Sequence, residues 1–256
     1  MREWLELMIL WTAGTGMLAA AAGVAAWGAL HPAAQLFGRT LRRLPAAAQS
    51  IALTFDDGPS PRNTPRVLDL LDEYGARATF FLIGRYVREF PELAREIVAR
   101  GHAVGNHTET HPSLVWASRA RILAEFDRCQ QAIGEATATR AAWVRPPYGY
   151  RSPLVHRAAR QSGFRGVAMW ARSAHDWRNA TSPQIVNRLL RVRAGDIVLL
   201  HDGAPPEEGG PGADRRPTIG ALEFWLPRWQ EAGIGFVALD ETAVPGAVEP
   251  RGEVLT

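Results

Sequence analysis

Residues 50–59 read Ser-Ile-Ala-Leu-Thr-Phe-Asp-Asp-Gly-Pro, an apolar run that ends in two adjacent carboxylates and a turn. The run Ile51–Phe55 is short enough to be a strand, and the Gly-Pro turn stops it from continuing. Asp56 and Asp57 repel each other, and in most chains such a pair is simply part of a solvated loop. Here the pair terminates a strand that looks buried, so it needs compensation, for which a cation is one candidate.

Further apolar runs of strand length recur along the chain at Thr79–Ile83, Ala103–Asn106, Ala142–Arg145, Gly166–Trp170, Ile197–Leu200 and Gly235–Leu239. Helical spacing, often with proline in the first turn, appears between them at Pro65–Tyr74, Pro91–Arg100, Arg119–Ile133, Pro153–Gln161, Pro183–Arg191 and Thr218–Ala232. This alternation predicts one α/β domain built on a parallel sheet. The Pro/Gly-rich stretch Ala204–Arg216 has no periodicity and is expected to be a surface loop.

Polar residues fall where the predicted strands end. The Asp pair, His107, Arg145 and His201 each follow or close an apolar run. Because the carboxyl ends of the strands form the active-site face of barrel-like α/β folds, we expect these side chains to converge there.

The segment His107-Thr108-Glu109-Thr110-His111 supplies two imidazoles. Together with Asp57 they make a credible three-ligand site for a borderline divalent ion such as zinc, with one position left for water. A His-x-x-x-His pair by itself is weak evidence, and two unrelated surface histidines are an equally good interpretation. Pro112 disfavours helical geometry at His111, so the ligands are expected on a loop.

The composition is that of a folded globular protein, with 46% hydrophobic and 21% charged residues in a chain of 256. All 29 basic residues are arginines, and they are scattered along the chain, so nucleic-acid binding is not expected. Cys129 is the only cysteine and lies in a predicted helix, where a small buried side chain is expected. A single cysteine does not indicate whether the protein works in an oxidising or a reducing compartment.

The N-terminal segment differs in composition from the rest of the chain, since Leu7 to Leu30 contains no charged side chain. At about 1.5 Å of rise per residue, this stretch would cross a hydrocarbon core of roughly 30 Å. We expect a membrane anchor over residues 7–30, within a segment 1–31 that is either an anchor or an uncleaved signal. Small residues near Ala22–Ala26 leave signal-peptide cleavage as an alternative.

Five motifs follow one another in order: Thr54-Phe55-Asp56-Asp57-Gly58-Pro59, His107-Thr108-Glu109-Thr110-His111, Arg145-Pro146-Pro147-Tyr148-Gly149, Asp176-Trp177 and Leu199-Leu200-His201-Asp202. Together they resemble the motifs of the polysaccharide deacetylases, carbohydrate esterase family 4, also called the NodB-homology domain. The resemblance runs from about Ser50 to Leu239. It implies an α/β fold, a distorted (β/α)7 barrel, here preceded by an N-terminal hydrophobic helix. The deacetylase domain would span residues 50–242, after a linker at 32–49 and before a C-terminal tail at 243–256.

The resemblance also implies a metal centre. Asp57, His107 and His111 would hold one divalent metal ion, zinc first, with cobalt or nickel also compatible. Asp56 would be the general base that takes a proton from the attacking water. Arg145 would pair with Asp56 and keep it ionised.

The remaining motif residues would act on the substrate. The backbone N–H of Tyr148, together with the metal, would hold the oxyanion that forms when the acetamide is attacked. His201 would protonate the departing amine, and Asp176 would favour the protonated form of His201. Trp177 and Leu199 would line an acetate-sized pocket, although such residues at strand ends are more often part of the core.

One position departs from the family pattern. The fourth motif commonly has an acidic residue where this chain has Ser173. Because Asp176 is present, activity is expected to survive the change. His175 is either a local substrate contact or, the blander interpretation, a solvated loop histidine.

These features predict a metal-dependent deacetylase that hydrolyses the acetamide C–N bond of N-acetylated sugars in a cell-envelope or extracellular polysaccharide. Two alternatives stay open: a catalytically silent glycan-binding envelope protein, and a deacetylase of O-acetyl groups or small amides. Silent relatives usually lose a base, a ligand or an acid, whereas this chain keeps all of them. The sequence leaves the glycan and the oligomeric state undetermined.

The expected location carries a conflict. With the N-terminal segment as a membrane anchor, the family resemblance implies that the catalytic domain lies outside the cytoplasm. The flanking residues Arg39, Arg42 and Arg43 would instead favour a cytoplasmic C-terminal side.

Overall fold

The computed structural model describes residues 1–46, 48–177 and 179–239. The strands are β1 (Thr40–Leu41), β2 (Ser50–Gly58), β3 (Ala78–Leu82), β4 (Ala103–Asn106), β5 (Trp143–Val144), β6 (Gly166–Ala168), β7 (Arg172–Ser173), β8 (Ile197–His201) and β9 (Gly235–Phe236). The α-helices are α1 (Arg2–Leu30), α2 (Thr64–Glu73), α3 (Gly84–Glu89), α4 (Pro91–Ala99), α5 (Arg119–Thr137), α6 (Pro153–Gln161), α7 (Ser182–Leu189) and α8 (Arg216–Glu231). The predicted strands and helices are confirmed, with ends that move by a few residues.

The named strands pair in parallel in the order β1-β6-β5-β4-β3-β2-β8-β7, and β9 pairs with β2 away from this path. The fold is therefore a half-barrel, and the prediction of a (β/α)7 barrel is right in its α/β alternation only. Two features explain the difference. After β6 the chain crosses directly to β7 at the other end of the sheet without an intervening helix, and β9 lies beside β2, where it cannot close the ring.

The alternation of side chains along β2 decides what lies on each face of the sheet. Ile51, Leu53 and Phe55 pack into the main core under the helices. Ala52 belongs to a second cluster inside the half-barrel, whose other buried members are Leu44, Phe81, Trp143, Ala168, Ile197 and Leu239. Residues of β2 that share the parity of Ala52 therefore face the interior.

The sequence patterns missed β1, β7 and α3. Strand β1 lies within residues 32–49, which the sequence predicts as a linker, and pairs with β6 through Thr40↔Val167. These elements are too short to show a hydrophobic period, so only their neighbours in space define them. The predicted tail 243–256 and the last residues of the predicted domain, 240–242, lie outside the described residues.

The N-terminal segment forms helix α1. In the described part of the chain, no helix is both long enough and apolar enough to cross a membrane. The membrane anchor predicted over residues 7–30 is therefore not supported. The segment is rich in alanine and glycine, whose small side chains contribute little apolar area.

Candidate active site

A bulge at the end of β2 brings both members of the Asp pair to the same side. Asp56 pairs with Phe81 and Gly58 with Leu82, so Asp57 is an extra residue without a partner in β3. Asp57 has a φ of 68°, in the left-handed region. In a regular strand adjacent side chains point to opposite faces, whereas here both carboxylates line one cavity.

Asp57 and two histidines form a compact group. The Oδ1 atom of Asp57 lies 3.3 Å from Nε2 of His107 and 3.2 Å from Nε2 of His111. All three side chains are buried, and their ligand atoms lie within 4.8 Å of one another. The structure thus brings together the three residues that the sequence predicts as metal ligands.

Local geometry aims both imidazoles at Asp57. His107 follows β4, and its Nδ1 lies 2.7 Å from the carbonyl oxygen of Arg145, which accepts the ring hydrogen in the tautomer that leaves Nε2 free. His111 lies on a non-helical loop as predicted, with a φ of 59°, and its N–H donates to the Thr108 hydroxyl at 3.0 Å. Left-handed backbone at such positions is costly and is retained where it orients functional groups.

The electrostatics suit a cation. Burial acts to raise the pKa of Asp57, but the nearby imidazoles of His107, His111 and His201 hold it well below its usual range. Burial lowers the pKa of His111 to about 4, so its ring is neutral at pH 7. The Oδ1 atom of Asp57 is buried and has no hydrogen-bond partner. An ionised carboxylate with an unsatisfied buried oxygen, and two imidazole nitrogens aimed at it, fit a divalent metal ion.

Asp56 is held by a buried arginine. The Nη1 atom of Arg145 donates to Oδ1 of Asp56 at 2.7 Å and to the Thr54 hydroxyl at 2.8 Å. Its Nη2 donates to the carbonyl of Met169 at 3.2 Å, which ties the chain crossing between β6 and β7 to the same guanidinium. Its guanidinium also lies over the Phe81 ring at 4.1 Å. Arg145 therefore both fixes the Asp56 carboxylate and fills the interior of the half-barrel.

His201 lies near Oδ2 of Asp57, whereas His107 and His111 lie near Oδ1. Its Nδ1 donates to Oδ1 of Asp176 at 2.8 Å, and its backbone N–H donates to Oδ2 of the same carboxylate at 2.9 Å. Burial acts to lower the pKa of His201, but Asp176 and the other nearby carboxylates raise it to about 9. The ring is therefore protonated at pH 7, with Nε2 at 3.9 Å from Oδ2 of Asp57.

Asp56 and His201 are register partners on the adjacent strands β2 and β8. Parallel partners point their side chains to the same face, so the two groups share the interior of the half-barrel. The carbonyl oxygen of Asp57 faces Gly203, where a Cβ would lie only 1.9 Å from it. Only glycine at this position lets the chain after β8 approach the metal ligand so closely.

Tyr148 covers the metal-ligand group. Its φ of 59° departs from helical geometry, and its N–H donates to no backbone acceptor in the described part of the chain. Its ring contacts the edge of His111 at a centroid distance of 4.7 Å, and its hydroxyl donates to Glu207. Glu207 also places Oε1 at 3.9 Å from Nδ1 of His111.

A cavity of about 470 Å³ opens onto these groups. Most of the predicted site residues line it: Asp56, Asp57, His107, His111, Tyr148, Trp177, Leu199 and His201. Arg145 and Asp176 are buried behind the wall and act on the cavity only through Asp56 and His201. Ser173 and His175 also line the cavity, where the His175 side chain is exposed to solvent.

Sequence reasoning missed several residues that position the site. The Thr218 hydroxyl donates to Oδ2 of Asp176 at 2.9 Å, and Nη1 of Arg215 donates to the Asp176 carbonyl at 3.1 Å. Glu207 lies in the stretch Ala204–Arg216, which contains two short 3-10 helices and no periodic signal. No spacing in the sequence links these residues to the motifs, because each contact spans tens of residues.

Comparison with known proteins identifies relatives of this chain. A family model described as polysaccharide deacetylase matches residues 43–167. A peptidoglycan-N-acetylglucosamine deacetylase of Bacillus cereus is 37% identical over 77% of this chain and 90% of its own length. A chitooligosaccharide deacetylase of Sinorhizobium fredii is 39% identical over 76% of this chain and 92% of its own length. The crystal structure of a peptidoglycan N-acetylglucosamine deacetylase bound to a naphthalenyl N-oxidanyl-benzamide superposes with a TM-score of 0.72 at 28% identity, over 79% of this chain and 92% of that one.

The chain belongs to the polysaccharide deacetylase family, carbohydrate esterase family 4. It is accordingly a hydrolase of the class that acts on N-acetyl amide bonds of polysaccharides. Deacetylases of this family use a divalent metal, and the group of Asp57, His107 and His111 is suited to hold one.

Proposed function

We propose that the protein hydrolyses the acetamide of N-acetylated sugar residues in a cell-envelope or extracellular polysaccharide, with a zinc ion held by Asp57, His107 and His111. The observation that carries the proposal is the pairing of Asp56 with His201 across adjacent strands, beside the carboxylate of Asp57. A base and a protonated acid thereby face one cavity, which is what amide hydrolysis requires.

Asp56 is the base of the proposed reaction. Its carboxylate is buried, and Arg145 orients it through Oδ1, so Oδ2 remains available to accept a proton from the attacking water. A bound divalent ion would lower the pKa of water and polarise the acetyl carbonyl. The water oxygen forms a bond to the acetyl carbon while its proton passes to Asp56.

His201 is the acid. The ring is protonated at pH 7 because Asp176 stabilises its charge, and Nε2 faces the cavity. As the C–N bond breaks, His201 gives its proton to the nitrogen, so that a free amine and acetic acid leave, and the acid loses its remaining proton to solvent as acetate. Solvent then returns a proton to His201 and removes the one held by Asp56.

The carbonyl oxygen gains negative charge when water attacks. The N–H of Tyr148, which is free of backbone acceptors in the described residues, is the donor we assign to this oxygen. Trp177 and Leu199 line the same cavity and are assigned to the acetyl methyl group. An apolar recess of this kind selects a small acyl group through its size.

Acetate release tests the proposal. Purified protein should release acetate from an N-acetylated glycan, lose this activity to a chelator and recover it when zinc is restored. Asp56→Asn should keep its metal and lose about 10²- to 10⁴-fold in kcat, the usual contribution of a positioned base. Asp69→Asn, which makes the same change on the exposed face of α2, serves as the matched control. Deacetylation at the parental rate by metal-loaded Asp56→Asn protein would refute the assigned base.

We also propose that the catalytic domain works outside the cytoplasm. A polymer of the cell envelope cannot diffuse to the enzyme, so the enzyme must be located where the polymer lies. Protease treatment of intact cells tests this location, and protection of the domain until the cells are lysed would contradict it.

A further inference from the structure

One wall of the cavity comes from residues that precede the part matched by the family model, which begins at residue 43. His31, Pro32, Ala33 and Arg42 line the cavity together with the catalytic residues. This wall belongs to the chain's own N-terminal segment, so the family motifs do not account for its chemistry.

The wall is fixed in place by Arg151. The Nη2 atom of this buried arginine donates to the carbonyls of His31 at 2.8 Å and Ala34 at 2.7 Å, and its backbone N–H donates to Ala29 at 3.1 Å. Strand β1 then joins the sheet, and the Leu41 carbonyl accepts the N–H of Met169 at 2.7 Å. Arg42 follows directly, so its backbone is held at the rim of the half-barrel.

Arg42 brings a positive charge that the described residues leave uncompensated. Its Nε is buried and has no hydrogen-bond partner. The neighbouring Arg43 is paired with Asp196, and the guanidinium of Arg151 donates to backbone carbonyl oxygens. Burial and the charge of Arg43 lower the pKa of Arg42, although the guanidinium remains charged at any physiological pH.

Of the three acids that line the cavity, two are committed elsewhere, and the third, Glu208, forms no ion pair with Arg42. Asp56 is paired with Arg145, and Asp57 belongs to the metal-ligand group. Arg42 lines the cavity and its guanidinium forms no ion pair in the described residues, so its charge is explained best by an acceptor that arrives with the substrate. Planar, bidentate donation by arginine is the geometry that carboxylates accept.

We propose that Arg42 binds a carboxylate carried by the glycan, so that the enzyme prefers an anionic N-acetylated polysaccharide to a neutral one. This inference rests on the proposed function, because it assigns the substrate class of the same site. A carboxylate preference distinguishes the two substrates for which the relatives are named, since peptidoglycan strands carry carboxylates and chito-oligosaccharides are neutral.

The test compares two glycans of equal length, a neutral N-acetylated chito-oligosaccharide and a peptidoglycan glycan strand with free lactyl carboxylates. The quantity measured is the ratio of kcat/KM for the carboxylated glycan to that for the neutral one. Arg42→Gln should lower this ratio about tenfold relative to the parent, and Arg42→Lys should retain part of it. Arg39→Gln removes an exposed charge that lies outside the cavity lining and should keep the parental ratio.

An unchanged ratio in Arg42→Gln, or an equal fall in Arg39→Gln, would overturn the proposal. Calorimetric binding of the two glycans to Asp56→Asn protein, with and without Arg42→Gln, gives a readout that needs no turnover. If the parent released acetate from neither glycan, the proposed function would fail, while the binding comparison would still decide on Arg42.

Discussion

His111 and His201 face the same cavity, and both are buried, yet they hold opposite protonation states. Burial lowers the pKa of His111 to about 4, and its Nδ1 has no hydrogen-bond partner. Burial acts in the same direction on His201, but the paired Asp176 carboxylate raises its pKa to about 9. The partner of the second ring nitrogen, and not the depth of burial, decides the charge of each imidazole.

The difference divides the chemistry between the two sides of Asp57. A neutral imidazole has a lone pair that can bind a cation, whereas a protonated one can only give a proton. The molecule thus obtains a ligand and an acid from one residue type within one cavity.

The largest effect is expected from removing each histidine in turn. His111→Ala should lose its metal and its activity together, because one of the three ligands disappears. His201→Ala should keep its metal and lose about 10²- to 10⁴-fold in kcat, since only the acid is removed. Metal content after gel filtration and acetate release measure the two outcomes. Equal metal loss in both variants would show that His201 is also a ligand.

A smaller effect is expected when the acid loses its partner. In Asp176→Asn the amide can still accept the ring hydrogen, but the charge that favours the imidazolium is gone. The pKa of His201 should fall from about 9 towards its ordinary value of about 6.5. The acid must be protonated to act, so parental activity falls as the pH rises through about 9, and the variant should lose activity at a pH about two units lower.

The pH profile of kcat for metal-loaded protein checks this shift. Thr139→Val, an exposed substitution away from the cavity, is the control. An alkaline limb that stays at the parental pH in Asp176→Asn would mean that another group sets it.

The smallest effect is expected from replacing Glu207. Its carboxylate faces Nδ1 of His111, as Asp176 faces Nδ1 of His201, but from a greater distance. Its carboxylate is half-exposed and 3.9 Å from Nδ1 of His111. Glu207→Gln should weaken metal binding by about threefold to tenfold, at or below the low end for residues that support a ligand. Competition with a chromogenic chelator measures the affinity. Glu208→Gln, the same change one residue further on, should leave the metal affinity unaltered. If Glu207→Gln bound the metal with the parental affinity, Glu207 would not support His111 as a ligand.

Much of the fold was predictable because its main elements are long enough to show a period. Strands β2 and β4 and helices α5 and α6 have bounds close to those that the apolar spacing predicts. The crossing from β6 to β7 was not predictable, because the run Gly166–Trp170 looks like one ordinary strand. Where the strand ends at Ala168, the guanidinium of Arg145 donates to the carbonyls of Ala168 and Met169.

The candidate site was predictable in its motif residues, while its supporting contacts were not. Thr218 and Arg215 hold Asp176 from 42 and 39 residues away along the chain. Hydrogen bonds across such separations leave no spacing in the sequence. The same applies to Arg42, since only the pairing of β1 with β6 brings that residue to the cavity.

The residue types at the centre, the order of the motifs and the α/β alternation can be recognised along the chain, because they follow from local composition and period. The folded structure alone shows that both carboxylates of the Asp pair face one cavity, through the bulge at Asp57. It also shows that the sheet stays open and that His111 and His201 carry different charges. A pKa and a strand register are set by neighbours in space, and those neighbours come from distant parts of the chain.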